Sequence, residues 1–257
     1  MTDVQTIAGD LRDEQEALDT VVADISEGQW NTPTASPRWS VHDQIGHLTY
    51  FDGTAVLAIT DPERFNESVA EMLAGGDVDA ATLHRHLVPS ELLAAWRSNR
   101  AVLNDVAAGL DGSARIPWYG PPMSGKSFLT ARLMETWAHG QDVVDALGAD
   151  RPATDRLAHI VRLGFITRGW TYVNRHEEQP PDDVRVELVA PSGAVWTHGP
   201  DDAPAIVRGA ALDFCLVVTQ RRHLADTALD LTGNAARDWM TKAQAFAGAP
   251  TDGPPRN

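Results

Sequence analysis

With one cysteine in 257 residues, Cys215, the chain cannot form an internal disulfide, which fits a reducing compartment. Phe214, Leu216 and Val217 around it mark a buried thiol, and an apolar setting disfavours the thiolate a nucleophile would need. Lysine is nearly as scarce, limited to Lys126 and Lys242. Positive charge is in deficit overall: 21 basic against 36 acidic residues leave a net charge of −15, which should repel phosphate backbones and anionic membranes. A nucleic-acid partner is therefore not expected. No stretch reaches the roughly 18 consecutive apolar residues that a membrane span needs. The opening MTDVQTIAGDLRDEQ has neither a basic region nor an apolar core and does not read as a signal peptide. These absences point to a soluble, cytoplasmic protein, and its 43% hydrophobic content suits one large domain or two modest ones.

What is present up to about residue 180 is helical periodicity. Val4, Ile7, Leu11, Leu18, Val21, Val22 and Ile25 recur at threes and fours. A second helix is expected from Val41 to Ile59, with Ser40 as N-cap and Asp43 in the acidic first turn. A third starts near Ser90 and carries Leu92, Trp96, Leu103, Val106 and Leu110. A fourth covers Ser127 to Leu147 and stops at Gly148, and a fifth covers Ala153 to Arg175. After the acidic connector Gln179-Pro180-Pro181-Asp182-Asp183 the period changes to two. Val184, Val186 and Leu188 alternate with Arg185 and Glu187, Pro191-Ser192-Gly193 turns the chain, and Ala194 to Thr197 returns. Ala205 to Val207 reads as a third strand, Ala210 to Gln220 as either helix or strand, and Asn234 to Phe246 as a closing helix. The expected fold is α+β: an up-and-down bundle of four core helices plus one over residues 1–178, a small α/β domain over 184–248, and a flexible tail over 249–257.

Chemistry is concentrated in the second and fourth helices. Glu135 and His139 are four apart and project from one helix face one turn from each other, so both can grip a single ion. A third ligand must come from another element, and His47 in the second helix completes a His2Glu set that leaves a coordination position open. The competing reading is a solvent-facing polar pair, since Leu129, Leu133, Trp137, Val144 and Leu147 form a stripe roughly opposite. Against this, Phe128, Ala131, Ala138 and Ala146 make the helix apolar nearly all round, as expected if both faces are covered. Asp142 reads as either a partner to a ligand or a solvent-facing carboxylate. The aromatic loop Pro117 to Ser124 reads as either a lid over an apolar pocket or a packed connection.

The runs WSVHDQIGHL and METWAHGQDVVDALG, with the W-x-x-x-R element from Trp96 to Arg100, resemble the DinB-like metal-binding bundles, in particular the mycothiol-dependent maleylpyruvate isomerase group. The segment from Gly209 to Gly248 resembles the second domain of actinobacterial relatives and also wyosine base formation domains. The resemblance implies a zinc ion held by His47, Glu135 and His139, with nickel and iron as alternatives. It also implies a low-molecular-weight thiol such as mycothiol acting on a small electrophilic substrate. An arginine of the C-terminal domain is implied near the metal, and Arg222, or its neighbour Arg221, is the nearest match. Arg100 is the candidate for a substrate carboxylate, because a guanidinium fork matches a carboxylate bidentately, with a packing or surface arginine as the alternative. Two classes of function stay open: a thiol-dependent isomerase or transferase, and a non-catalytic metal-binding or ligand-sensing protein. A tRNA-directed role conflicts with the acidic balance. The oligomeric state is open, a homodimer included.

Overall fold

Residues 3–256 are described by a computed structural model; the first two positions of the expected bundle and Asn257 of the expected tail lie outside them. The chain divides into two compact units, Met1–Arg151 and Pro152–Asn257.

The first unit is built on four long helices, α1 (Val4–Val22), α3 (Val41–Thr60), α6 (Pro89–Ala108) and α7 (Gly125–Leu147). Between them lie the short α2 (Glu27–Trp30), the helices α4 (Pro62–Gly75) and α5 (Val78–Thr82), and the two-residue strands β1 (Arg115–Ile116) and β2 (Met123–Ser124). Each long helix packs on two others: α1 on α6 and α7, and α3 on α6 and α7. Helices α1 and α3 are therefore diagonal across the bundle, as are α6 and α7, and the connections carrying α2 and the β1–β2 pair make those crossings. Leu18, Ile45, Leu48, Leu92, Trp96 and Val143 meet in the core, each removing from water a side chain worth about 1.5–3 kcal/mol.

At the centre of this core sits one carboxylate. Asp52 of α3, fully buried, accepts hydrogen bonds from Gln15 of α1 (3.3 Å), Trp96 of α6 (3.3 Å) and Arg132 of α7 (2.9 Å). All four long helices thus meet at one carboxyl group. Helix α3 begins where its sequence signals place it: Asp43 Oδ2 accepts from the Ser40 backbone N–H at 2.9 Å in a capping box. Helix α7 ends at Gly148, whose left-handed backbone (φ 60°) stops the helix with little of the strain a Cβ would bring.

The second unit holds α8 (Leu157–Ile166), α9 (Arg168–Arg175), strands β3 (Val184–Val189), β4 (Val195–His198), β5 (Ala205–Ala210) and β6 (Asp230–Thr232), and helices α10 (Ala211–Val218) and α11 (Asn234–Met240). The expected fifth helix is two helices within this unit. Thr167 between them sits at φ −88°, ψ 6°, and its hydroxyl bonds back to the Leu163 carbonyl at 2.8 Å, which bends the chain. Strands β3 and β4 form the expected hairpin, and β5 lies parallel to β3 with β6 on its far side. The ambiguous segment after β5 is helical: α10 covers the sheet face made by Val184, Val186, Leu188, Ala205 and Val207. Helix α11 ends at Met240 rather than running to Phe246, because Ala245 N–H bonds the Val218 carbonyl (2.8 Å) and Gln244 N–H bonds Thr171 Oγ1 (3.3 Å). Residues 249–256, expected as a free tail, lie on the unit: Arg175 pairs with Asp252 at 3.0 Å and Gln220 donates to the Thr251 carbonyl at 3.0 Å.

Candidate metal centre

Helices α3 and α7 bring His47, Glu135 and His139 together, their donor atoms all within 4.8 Å of one another. Glu135 Oε2 stands 3.1 Å from His139 Nε2 and 3.8 Å from His47 Nε2. Ligand bonds of about 2.0–2.1 Å in a tetrahedral site put neighbouring donor atoms roughly 3.3 Å apart, so these spacings bracket what a zinc-sized ion requires. The site keeps a path to solvent, with 25% of the Glu135 side chain and 17% of the His47 side chain exposed. Burial by itself pushes the Glu135 carboxyl up, but hydrogen bonds from His139 and His47 outweigh it and hold the group well below the usual carboxylate range. The carboxylate is therefore ionised and ready to bind a cation.

A layer of side chains fixes the imidazoles. Trp39 lies against both, its ring centroid 5.2 Å from His47 and 5.9 Å from His139, and Phe51 packs on His47 at 4.4 Å. His139 Nδ1 bonds to Gln44 Oε1 at 2.6 Å, and Gln44 Nε2 donates to Thr34 Oγ1 at 2.9 Å and Ser36 Oγ at 3.1 Å. Ser36 in turn donates to Asp142 Oδ2 at 3.2 Å. Asp142 is buried and stands behind the ligands, so of its two readings the solvent-facing one does not hold. The aromatic loop is packed. Trp118 stacks on Phe65 at 5.5 Å, meets Phe128 at 5.1 Å and lies 5.8 Å from the Arg132 guanidinium, while Tyr119 contacts Phe51. Sequence reasoning assigned no role to Trp39, Gln44, Ser36 or Phe51. The available signal for Gln44 was its position three residues before His47, on the same helix face.

Arg100 of α6 is buried and pairs with Asp19 and, at 3.4 Å, Glu16 of α1; its guanidinium covers Trp96 at 4.8 Å. Arg222 follows α10 in the second unit. With Gln220, Leu231, Met240 and Lys242 it lines a cavity of about 440 Å3.

Residues 11–144, covering the four long helices nearly throughout, match the family described as the mycothiol maleylpyruvate isomerase N-terminal domain. An uncharacterised protein of Mycobacterium tuberculosis, in strains CDC 1551 and H37Rv, is 44% identical over 256 residues, 98% of this chain and 100% of that protein. The chain belongs to the mycothiol maleylpyruvate isomerase N-terminal domain family. Its fold is similar to that of the mycothiol-dependent maleylpyruvate isomerase, seen in a crystal structure at TM-score 0.58 and 17% identity, covering 90% of this chain and 95% of that one. A crystal structure of a histidine-to-alanine mutant of that isomerase gives TM-score 0.60 at 16% identity, over 90% and 96% of the two chains. Among the described residues no helix is long and apolar enough to cross a membrane.

Proposed function

We propose that this protein is a divalent-metal enzyme, with zinc as the ion, that uses a low-molecular-weight thiol such as mycothiol on a small electrophilic substrate in an isomerase or transferase reaction. The observation that carries the reading is the convergence of His47, Glu135 and His139 at ligand spacing with solvent access. Two imidazoles and one carboxylate suit zinc better than calcium or magnesium, which take oxygen donors. When bound, such an ion supplies Lewis acidity that lowers the pKa of a thiol and presents sulfur as a nucleophile at neutral pH. Family membership and the fold shared with a mycothiol-dependent isomerase support mycothiol as the thiol.

In this reading the chain's residues bind and orient. Glu135 offers an ionised oxygen, and His47 and His139 offer nitrogen lone pairs held in place by Trp39 and Phe51, whose rings also keep water from the flanks of the imidazoles. Arg100 and Arg222 enter as the proposed carboxylate-recognising groups. A substrate carboxylate at Arg100 would compete with Asp19 and Glu16. The alternative, a structural or ligand-sensing metal, fits a sealed site better than one whose carboxylate is a quarter exposed. Elemental analysis of purified wild type beside His47→Ala and His139→Ala tests the ion. About one metal per chain is expected in wild type and loss in both variants; full retention in either removes that residue from the site. A thiol-dependent activity screen on the loaded protein then separates the enzyme from the non-catalytic alternative.

A further inference from the structure

We propose that Gln44 is a positioning residue which, aligned by Ser36 and Asp142, fixes His139 with a proton on Nδ1 and its Nε2 turned towards Glu135. The inference deepens the metal reading and rests on it for its consequence, though not for its geometry.

Each link forces the next. The Ser36 hydroxyl donates its single proton to Asp142 Oδ2, 3.2 Å away. Ser36 Oγ is then left to accept, and what faces it at 3.1 Å must be the NH2 end of Gln44. Thr34 Oγ1, 2.9 Å from the same nitrogen, takes the second amide proton. The carbonyl oxygen of Gln44 therefore faces His139 Nδ1 at 2.6 Å, and between an oxygen acceptor and a ring nitrogen that nitrogen has to donate. Gln44 is fully buried, with both ends of its amide engaged, so the arrangement has no solvent-assisted way to flip. The other ring nitrogen, Nε2, is thereby turned to Glu135 Oε2 at 3.1 Å, on the side where His47 also converges. The Asp142 carboxyl thus orients a ring three hydrogen bonds away, through a neutral amide rather than by touching the imidazole. A carboxylate directly on Nδ1 would add charge to the site, whereas the amide orients the ring without doing so.

The test uses full-length protein labelled with 15N at histidine. Two-bond nitrogen–proton correlation spectra of the metal-free form should show His139, assigned by comparison with His139→Ala, protonated at Nδ1. In Gln44→Leu that preference should be lost, and zinc affinity, read by competition with a chromogenic chelator, should fall about 10- to 100-fold. Gln44→Glu keeps an acceptor oxygen opposite Nδ1 and should keep the proton there. Ser36→Ala removes the next link and should shift both readouts in the same direction but less; it carries the test if Gln44→Leu does not fold. A wild-type His139 without a proton on Nδ1 overturns the proposal. So does zinc affinity unchanged in Gln44→Leu, or, if that variant does not fold, both readouts unchanged in Ser36→Ala. If the wild type binds no zinc, the metal reading falls, and the metal-free spectra alone decide the role of Gln44.

Discussion

Trp39 has one ring against both imidazoles, which makes it a built-in reporter of the site. Cobalt(II) titration is expected to quench part of the emission of the eight tryptophans, and Trp39→Phe should lose that component. Equal quenching in the variant would place the metal elsewhere. The three ligands were readable from sequence because two of them sit four apart on one helix and the third lies in a second helix of matching context. Trp39, Ser36 and Thr34 were not. They reach the site from the connection between α2 and α3, whose path depends on packing rather than on periodicity. Gln44 was within reach of a face argument, but its acceptor oxygen takes its meaning from Ser36 and Asp142, which are 8 and 98 residues away from it along the chain.

Helix α3 carries His47 and is held against its surroundings at two points. At Gly46 a Cβ would come within 2.0 Å of the Leu83 carbonyl oxygen, a backbone atom that cannot simply swing aside. Gly46→Ala is therefore expected to destabilise the fold by about 1–3 kcal/mol and to weaken metal binding at the adjacent His47, as read by urea unfolding and chelator competition. A variant as stable as wild type would mean the turn after α5 can retreat freely. At the N-terminus, burial by itself pushes the Asp43 carboxyl up, and Arg85 (2.7 Å) and the Ser40 amide outweigh it and hold the group below the usual range. A carboxyl depressed in the folded state adds stability above its unfolded value of about 3.9, and that stability fades as pH falls through the folded value. Asp43→Asn should accordingly lower stability at neutral pH and flatten the acid limb of the stability profile; an unchanged limb would exclude Asp43 as its source. The Ser40 cap was legible because capping is local. The break at Thr167 was not, since Thr49 and Thr136 make the same back-bond inside unbroken helices; nor was the early end of α11, which is decided by contacts distant in sequence.

Across the first unit, Asp52 does what no apolar residue could: it ties α1, α3, α6 and α7 to a single point. Asp52→Ala leaves the buried Arg132 cation without its partner and should cost about 3–5 kcal/mol in urea unfolding. A loss below about 1 kcal/mol would show that water replaces the carboxylate. The same lattice of buried charge explains Arg100 and Arg151, which are held by Asp19 and Glu14 of α1 rather than facing solvent. Arginine suits these places because its planar fork satisfies several acceptors at once. For the molecule as a whole, composition marked an acidic surface, and the change of hydrophobic period near residue 180 located the sheet. The compact units divide earlier, after Arg151, and α8 packs on α10 within the second.

Sequence alone determined what is periodic and local: the long helices, the β3–β4 hairpin, the cap at Ser40, the stop at Gly148 and the pairing of Glu135 with His139, all set by neighbours within a few positions. Tertiary structure decided which faces meet. It placed Asp52 at the crossing of four helices, turned Asp142 inward, bound the chain after Gly248 to α9 and to Gln220 beyond α10, and aligned Gln44 behind His139. Those outcomes depend on groups dozens of residues apart finding hydrogen-bond partners once water is excluded, and no pattern along the chain records that.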